Sequence, residues 1–534
     1  MRWPKTEQLR PAGERAPGSS DLRPRNEQLE SKVETEHDHY SSLKVILPVV
    51  LSLCLAVFLT ALDRTIIGVA IPAISNDFQS FDDIAWYESG YLLTFAALQL
   101  PIGKLFTFFP AKWTFILLVA VFEIGSIICA TAPNSTTFII GRAIAGIGSA
   151  GNVTGANVIL ADLLPLEKRP KYQGFIGATF GLASIAGPLL GGVFASEVSW
   201  RWCFWINAPI GGVALVVLIL LVPSKPPARE QSGKSLQERL KAYDPIGTVL
   251  LVTGLVLLLL ALQWGSNESG WSSTRVIVTL VIGIVLILAF LISQAWIGEN
   301  GTLPPRIICK RSIAAGAAVS LGFGSTLIIG LSAIDAGIRM IGYFLITAVS
   351  VIGSGIIVSK TGYYTPWLIL GTALLVVGCG LLTTFRVSTS TTTSTGFQII
   401  TGAGMGMSLA QCNNAAQTVL SREDIPMGIT IINFGNFIGG TVFVSICQGI
   451  LSSTLRTQLG QQIPDLDLSS ISTAGATELS KLVPSSQLPI LQAAYNKGIN
   501  NVFYCALGVS SSAFVASWFV EWRSVKSSQV VNED

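Results

Sequence analysis

The stretch VILPVVLSLCLAVFLTALDRTIIGVAI, residues 45–71, decides the fold. It stays apolar past the ~20 residues that a helix needs to cross the hydrocarbon core of a bilayer. Its two charges, Asp63 and Arg64, come late. Outward from it the same pattern recurs. Ile84–Phe106, Phe115–Ala132, Phe138–Leu160, Phe175–Phe194 and Phe204–Val222 follow it, and then comes a connector carrying Lys225, Arg229, Lys234, Arg239 and Lys241. Beyond the connector lie Ile246–Trp264, Val276–Trp296, Ile313–Ile329, Met340–Val358, Trp367–Thr384, Phe397–Ala415, Ile429–Leu451 and Val502–Phe519. That makes about fourteen spans. With 50% of residues hydrophobic and only 12% charged, lipid is the solvent for most of the chain.

Composition also excludes whole classes of function. His37 and His39 are the only histidines, and both lie in a polar N-terminal tail that is too poor in apolar residues to fold. A His-based catalytic triad or metal site is therefore not expected, and no catalytic constellation is present. No GxxxxGK[ST] loop occurs, so ATP does not drive the protein, and no cofactor is implied. The eight cysteines form no CxxC pair and read as small buried hydrophobes. A net charge of +3 does not point to nucleic acid.

An even span count puts both termini on one side, and Lys and Arg accumulate in cytoplasmic loops. Lys104, Lys112, Lys168, Arg169, Lys171, Arg306, Lys310 and Arg311 follow even-numbered spans, which predicts cytoplasmic termini. Sequons at Asn134 and Asn267 then fall outside, whereas a third, at Asn152, lies inside a span.

A charge inside a span costs about 2.5–3.5 kcal/mol at least, so each one needs a reason. Asp63 either pairs structurally with Arg64 at the outer interface or exchanges a proton between two states of the protein. Arg142 either snorkels to the interface or is buried, where it attracts a carboxylate. Glu123 and Glu88 are candidates to accept a proton or to meet a cationic substrate. In the fifth span, Gly181, Gly187, Pro188, Gly191 and Gly192 combine a helix-breaking ring with a flat face, giving either a hinge or a static kink. Gln99, Asn152, Gln411 and Asn433 are polar candidates for substrate contact or for hydrogen bonding between helices. Glycine motifs also repeat in order. Gly103, Gly146–Gly151 and Gly187–Gly192 are matched by Gly355, Gly402–Gly406 and Gly435–Gly440, either as in transporters built from two halves or as glycine-rich stretches recur in any packed membrane bundle.

At these motifs the chain resembles the major facilitator superfamily, and within it the fourteen-span drug:proton antiporters of the fungal toxin and multidrug branch. Leu62-Asp63-Arg64-Thr65-Ile66-Ile67 through Pro72 is similar to the family's first-span motif, whose Asp is linked to proton coupling. Arg142 with Gly146 matches the fourth-span motif, Gly187-Pro188-Leu-Leu-Gly191-Gly192 the antiporter motif, and Trp200-Arg201-Trp202 through Gly211 the entry to the sixth span. The resemblance implies an all-α major facilitator fold of two six-helix bundles plus two inserted helices. Its parts would be a tail at 1–43, a bundle at 44–222, a connector at 223–245, inserted spans at 246–296, a second bundle at 297–522 and a tail at 523–534. It implies a monomeric carrier of the plasma membrane, with the vacuolar membrane as the alternative, that exchanges a small amphipathic organic compound for protons. A proton-independent facilitator or importer, or a non-transporting membrane sensor, is the alternative. Two departures stand out. The loop after the second span has Thr107 and Pro110 where the family usually holds Asp and Gly. After Gly330 the chain also lacks roughly ten residues normally present in relatives, so the ninth span is expected to fall short of a ~30 Å crossing.

Overall fold

A computed structural model describes residues 43–81, 83–227, 243–267, 271–331, 341–462, 484 and 487–526. The predicted disordered tail, most of the charged connector and the last residues of the chain lie outside these. Within them the protein is all helix, as expected where lipid leaves each segment to satisfy its own backbone.

The helices in chain order are α1 (Leu43–Phe78), α2 (Ile84–Phe108), α3 (Ala111–Thr131), α4 (Ser135–Ser149) and α5 (Asn152–Leu163). Next come α6 (Arg169–Val193), α7 (Trp202–Trp205), α8 (Asn207–Leu221), α9 (Pro245–Asn267) and α10 (Thr274–Ile297). The remainder are α11 (Pro305–Ile308), α12 (Arg311–Leu331), α13 (Ile341–Thr361), α14 (Thr365–Leu382), α15 (Thr391–Leu409), α16 (Gln411–Val419), α17 (Ile425–Gln462) and α18 (Leu488–Ser517). Twelve described rods are long and apolar enough to cross a membrane. The pair α4–α5 forms one of them, broken only at Ala150–Gly151. Helix α12 and the broken rod α15–α16 bring the series to the fourteen expected positions. The expected shortening does not reach the ninth span. Its 21 helical residues reach about 31 Å at 1.5 Å each, and the residues that follow, 332–340, lie outside the description.

Glycines set how the helices approach, and they do so twice. A Cβ at Gly146 of α4 would lie 2.4 Å from the Tyr91 carbonyl oxygen of α2, and one at Gly148 would lie 2.3 Å from the Phe122 nitrogen of α3. In the second half, Gly406 of α15 meets the Thr347 oxygen of α13 at 2.4 Å, and Gly404 meets the Leu375 nitrogen of α14 at 2.5 Å. Gly103 of α2 abuts Thr430 of α17, while Gly355 of α13 abuts Pro170 of α6. Thus α2, α3 and α4 correspond to α13, α14 and α15. Two seams, α2 with α17 and α6 with α13, join the helices before the connector to those after it.

The hairpin α9–α10 packs against α2 and α17 and is pinned by Asp244. This residue is 3% exposed and sits at a positive φ of 55°, which Asp tolerates better than most residues. Its carboxylate accepts from the Gly247 nitrogen, Gln294 Nε2, the Thr302 nitrogen and Thr302 Oγ1 at 2.8–3.0 Å. Beside it the Tyr243 hydroxyl donates to the Pro101 carbonyl, and Lys104 Nζ donates to the Asn300 carbonyl, both at 2.6 Å. The last two turns of α2 are thereby tied to the residues flanking the hairpin. Asp244→Ala strands four donors, and hydrogen bonds to a charged group contribute about 1.5–3 kcal/mol each, not additively. The expected result is a lower melting midpoint of the detergent-solubilised protein, with a smaller drop for Asp244→Asn. Equal midpoints for all three proteins would show that the cluster holds nothing.

Candidate functional site

Asp63 sits near the middle of α1 and faces inward, as do Leu59, Leu62 and Ile66 on neighbouring turns. Arg142 lies in α4, one turn before Gly146. That glycine lets α4 lie against α2, so the Arg142 side chain has no route to the interface and does not snorkel. The two side chains meet: Arg142 Nη1 donates to Asp63 Oδ2 at 2.5 Å, with exposures of 1% and 0%. The Tyr87 carbonyl accepts from Arg142 Nε at 2.9 Å, and the Tyr91 ring lies 4.6 Å from the guanidinium carbon. Asp63 Oδ1 has no hydrogen-bond partner among the described residues. The cation paired with Asp63 is therefore Arg142 and not its neighbour Arg64, whose guanidinium instead rests over the Phe95 and Phe437 rings.

A buried ion pair is held together by the penalty for exposing either charge alone, several kcal/mol per ion. Protonating Asp63 would remove one charge of the pair and leave Arg142 without its partner.

Two more carboxyl groups flank the pair. Glu123 of α3 is 7% exposed, and a Cβ at Gly211 of α8 would lie 1.7 Å from its Oε1. Neither Glu123 oxygen has a hydrogen-bond partner among the described residues. One turn along, Asn207 Nδ2 donates to Ser126 Oγ and joins the same two helices. Glu88 of α2 is solvent-accessible, and the charges of Arg142 and Arg64 act on it.

The fifth-span motif divides between two neighbours. Gly187 and Gly191 receive Thr65 and Ile66 of α1, and Thr65 Oγ1 donates to the Ala183 carbonyl of α6 at 3.1 Å. Gly181 instead faces α13 at the Phe344 carbonyl. Pro188 lies inside α6, which runs on to Val193 and ends in a π-helical turn at Phe194–Val198. Gly192 faces open space and belongs to neither contact.

Of the polar candidates, Asn152 donates to Thr60 Oγ1 at 2.8 Å, while its Oδ1 and the Oε1 of buried Gln99 have no partner among the described residues. Asn433 of α17 reaches across a seam to Thr154 of α5 at 3.5 Å. Gln411 is fully buried and bonded to Ser354, Met407 and Asn414 among its own neighbours. Asn134 is exposed and caps α4 by accepting from the Thr137 nitrogen. Asn267 ends α9, and its side chain lies outside the described residues.

At the end of the molecule rich in Lys and Arg, the basic face, the halves touch. Arg422 Nη2 donates to Asp162 Oδ1 at 3.1 Å, and the Ser359 hydroxyl donates to the Glu167 carbonyl. The cleft beside them, lined by Asp162, Arg169 and Arg422, measures about 140 Å³, below the ≈ 300 Å³ at which ligand pockets begin. Sequence reasoning overlooked Tyr87 and Tyr91, which support Arg142. Their spacing of four on α2 was the available signal.

Residues 53–330 match the family model described as Major Facilitator Superfamily. The chain is 44% identical to the MFS-type transporter VdtG of Byssochlamys spectabilis, over 89% of this chain and 88% of that one. It is 43% identical to the MFS-type efflux pump MFS1 of Arthroderma benhamiae, over 92% and 94%. The solved proton:xylose symporter XylE superposes with a TM-score of 0.57 at 14% identity, over 91% of this chain and 98% of that one. The chain belongs to the Major Facilitator Superfamily and is a secondary transporter of small organic compounds, not an enzyme.

Proposed function

We propose that this protein exports a small amphipathic organic compound from the cytoplasm in exchange for protons, acting as a monomer in the plasma membrane. The buried Asp63–Arg142 pair carries the proposal, because it joins two spans through charges that water does not reach. In the exporter, Asp63 takes up and releases the proton, Arg142 holds the vacated site, and Glu123 and Glu88 serve as further proton-accepting groups. The Gly181–Gly192 segment with Pro188 lets α6 slide against α1 and α13. Gln99, Asn152, Asn433 and Gln411 contribute polar contacts to substrate or to the helices around it. The basic face is cytoplasmic, with both termini, and Asn134 and Asn267 lie outside as glycan acceptors. Residues 44–222 and 297–522 act as the two rocking bundles, with 246–296 inserted between them. The conformer, shut at the basic face, suits release to the outside. Support for the direction comes from the efflux pump named among its relatives.

Everted vesicles test the reading. An inside-acid gradient imposed on vesicles carrying this chain should drive uptake of a fluorescent amphipathic dye, and a protonophore should abolish it. Uptake that ignores the gradient would leave a facilitator.

A further inference from the structure

Arg64 remains unexplained by proton exchange. It lies one residue beyond Asp63 within α1 and is only half-buried, and among the described residues it forms no ion pair. Its guanidinium carbon stands 5.7 Å from the centroids of both Phe95 and Phe437, whose rings are 4.7 Å apart. Phe95 belongs to α2 and Phe437 to α17, so the cation lies on the seam between the halves. A guanidinium does not lose its proton in a protein. Asp63 is already engaged by Arg142, and those two charges cancel. Glu88 lies seven residues from Phe95, about 10 Å along α2, and its charge and that of Arg64 act on each other. The Arg64 guanidinium nonetheless donates no hydrogen bond among the described residues, so its N–H groups face the seam without an acceptor.

What surrounds it reads as a receptor. The rings offer faces against which a flat ring can stack. The guanidinium offers a planar fork that matches paired anionic oxygens. One turn from Phe95, buried Gln99 has an Oε1 without a partner among the described residues, and one turn from Phe437, half-buried Asn433 makes only 3.5 Å contacts, donating to Thr154 and accepting from Asn413. We infer that Arg64, Phe95 and Phe437 form a subsite for a planar aromatic acid, a ring bearing a carboxylate beside an ionisable hydroxyl. The acid's carboxylate accepts from the Arg64 guanidinium, and its ring enters beside the two phenyl groups. The inference rests on the export reading and names its substrate class.

The test uses the full-length chain, in detergent for binding and in everted vesicles for transport. The probes are hydroxynaphthoate, its uncharged methyl ester, and a naphthyl trimethylammonium cation. The native protein should bind the acid more tightly than the ester and the cation. In Arg64→Gln the acid-to-ester affinity ratio should fall about tenfold or more, the loss of one charge-assisted contact, and Arg64→Lys should recover part of it. Phe437→Leu should weaken acid and ester together. A ratio unmoved by Arg64→Gln, equal binding of all three probes, preference for the cation, or no binding of the acid overturns the subsite. Arg64→Lys, which keeps the charge, controls for misfolding. Ester transport driven by the pH gradient, without an Arg64-dependent acid preference, overturns the subsite and leaves the exporter. Arg64-dependent acid binding without gradient-driven transport does the reverse.

Discussion

Asp63→Asn should reduce pH-driven export at least about a hundredfold, and Arg142→Ala should do the same while also lowering the amount of folded protein. Both partners are buried, so removing either leaves a charge or a polar remnant in a site that water does not enter. Breaking such a pair costs about 3–5 kcal/mol, which corresponds to a factor of a hundred or more. The two variants differ in what they leave behind. Asn preserves the shape of Asp63 and still accepts from Arg142, so the variant resembles a permanently protonated state and should accumulate in the membrane. Arg142→Ala strands the carboxylate and removes the side chain lying over Tyr91, so it should be less stable. The neutral double variant, Asp63→Asn with Arg142→Gln, should regain thermal stability but no gradient-driven transport. That separation is the informative result. If the double variant transported dye in response to a pH gradient, proton coupling would have to reside elsewhere, with Glu123 the first group to examine.

The second large effect concerns packing alone. In Gly324→Ala the new Cβ would stand 1.7 Å from the Asn436 carbonyl oxygen, 2.7 Å from its carbon and 2.8 Å from the Gly440 nitrogen. All three are backbone atoms of α17 and cannot swing aside, so α12 and α17 must separate. Overpacking of this kind costs about 1–3 kcal/mol, or more when backbone must move. The expected outcome is a clear fall in the melting midpoint and in surface expression. Gly192→Ala serves as the packing control, since nothing lies within 4 Å of that position, and its melting midpoint and expression should match those of the native protein. Equal midpoints for the two variants would show that the α12–α17 contact is looser than drawn.

Much of the architecture was readable from residue order because the hydrocarbon core allows few alternatives. Long apolar runs become helices, and the positions of the fourteen runs held, the ninth included. Single chemically costly residues were readable too. Asp63, Arg142 and Glu123 each stood out against an apolar background. Their pairing was not, because Asp63 and Arg142 are 79 residues apart and meet only once Gly146 has drawn α4 onto α2. Adjacent numbering suggested Arg64 as the partner, but neighbours along a helix point in different directions. Asp244 passed unnoticed as the end of the connector. Its position before Pro245 is a helix-start signal that would have identified it. Gln411 illustrates the converse: the sequence shows an amide within a span, and only packing reveals that Ser354, Met407 and Asn414 already occupy it.

The paired close approaches carry a consequence for ancestry. Gly103 stands to α17 as Gly355 stands to α6, so each seam presents to the other half the surface that the other half presents to it. Self-complementary contacts of this kind are those of a two-fold homodimer. Fusing two copies of such a subunit end to end would have preserved the old interface inside one polypeptide, leaving later divergence to place the ionic couple in only one of the twins.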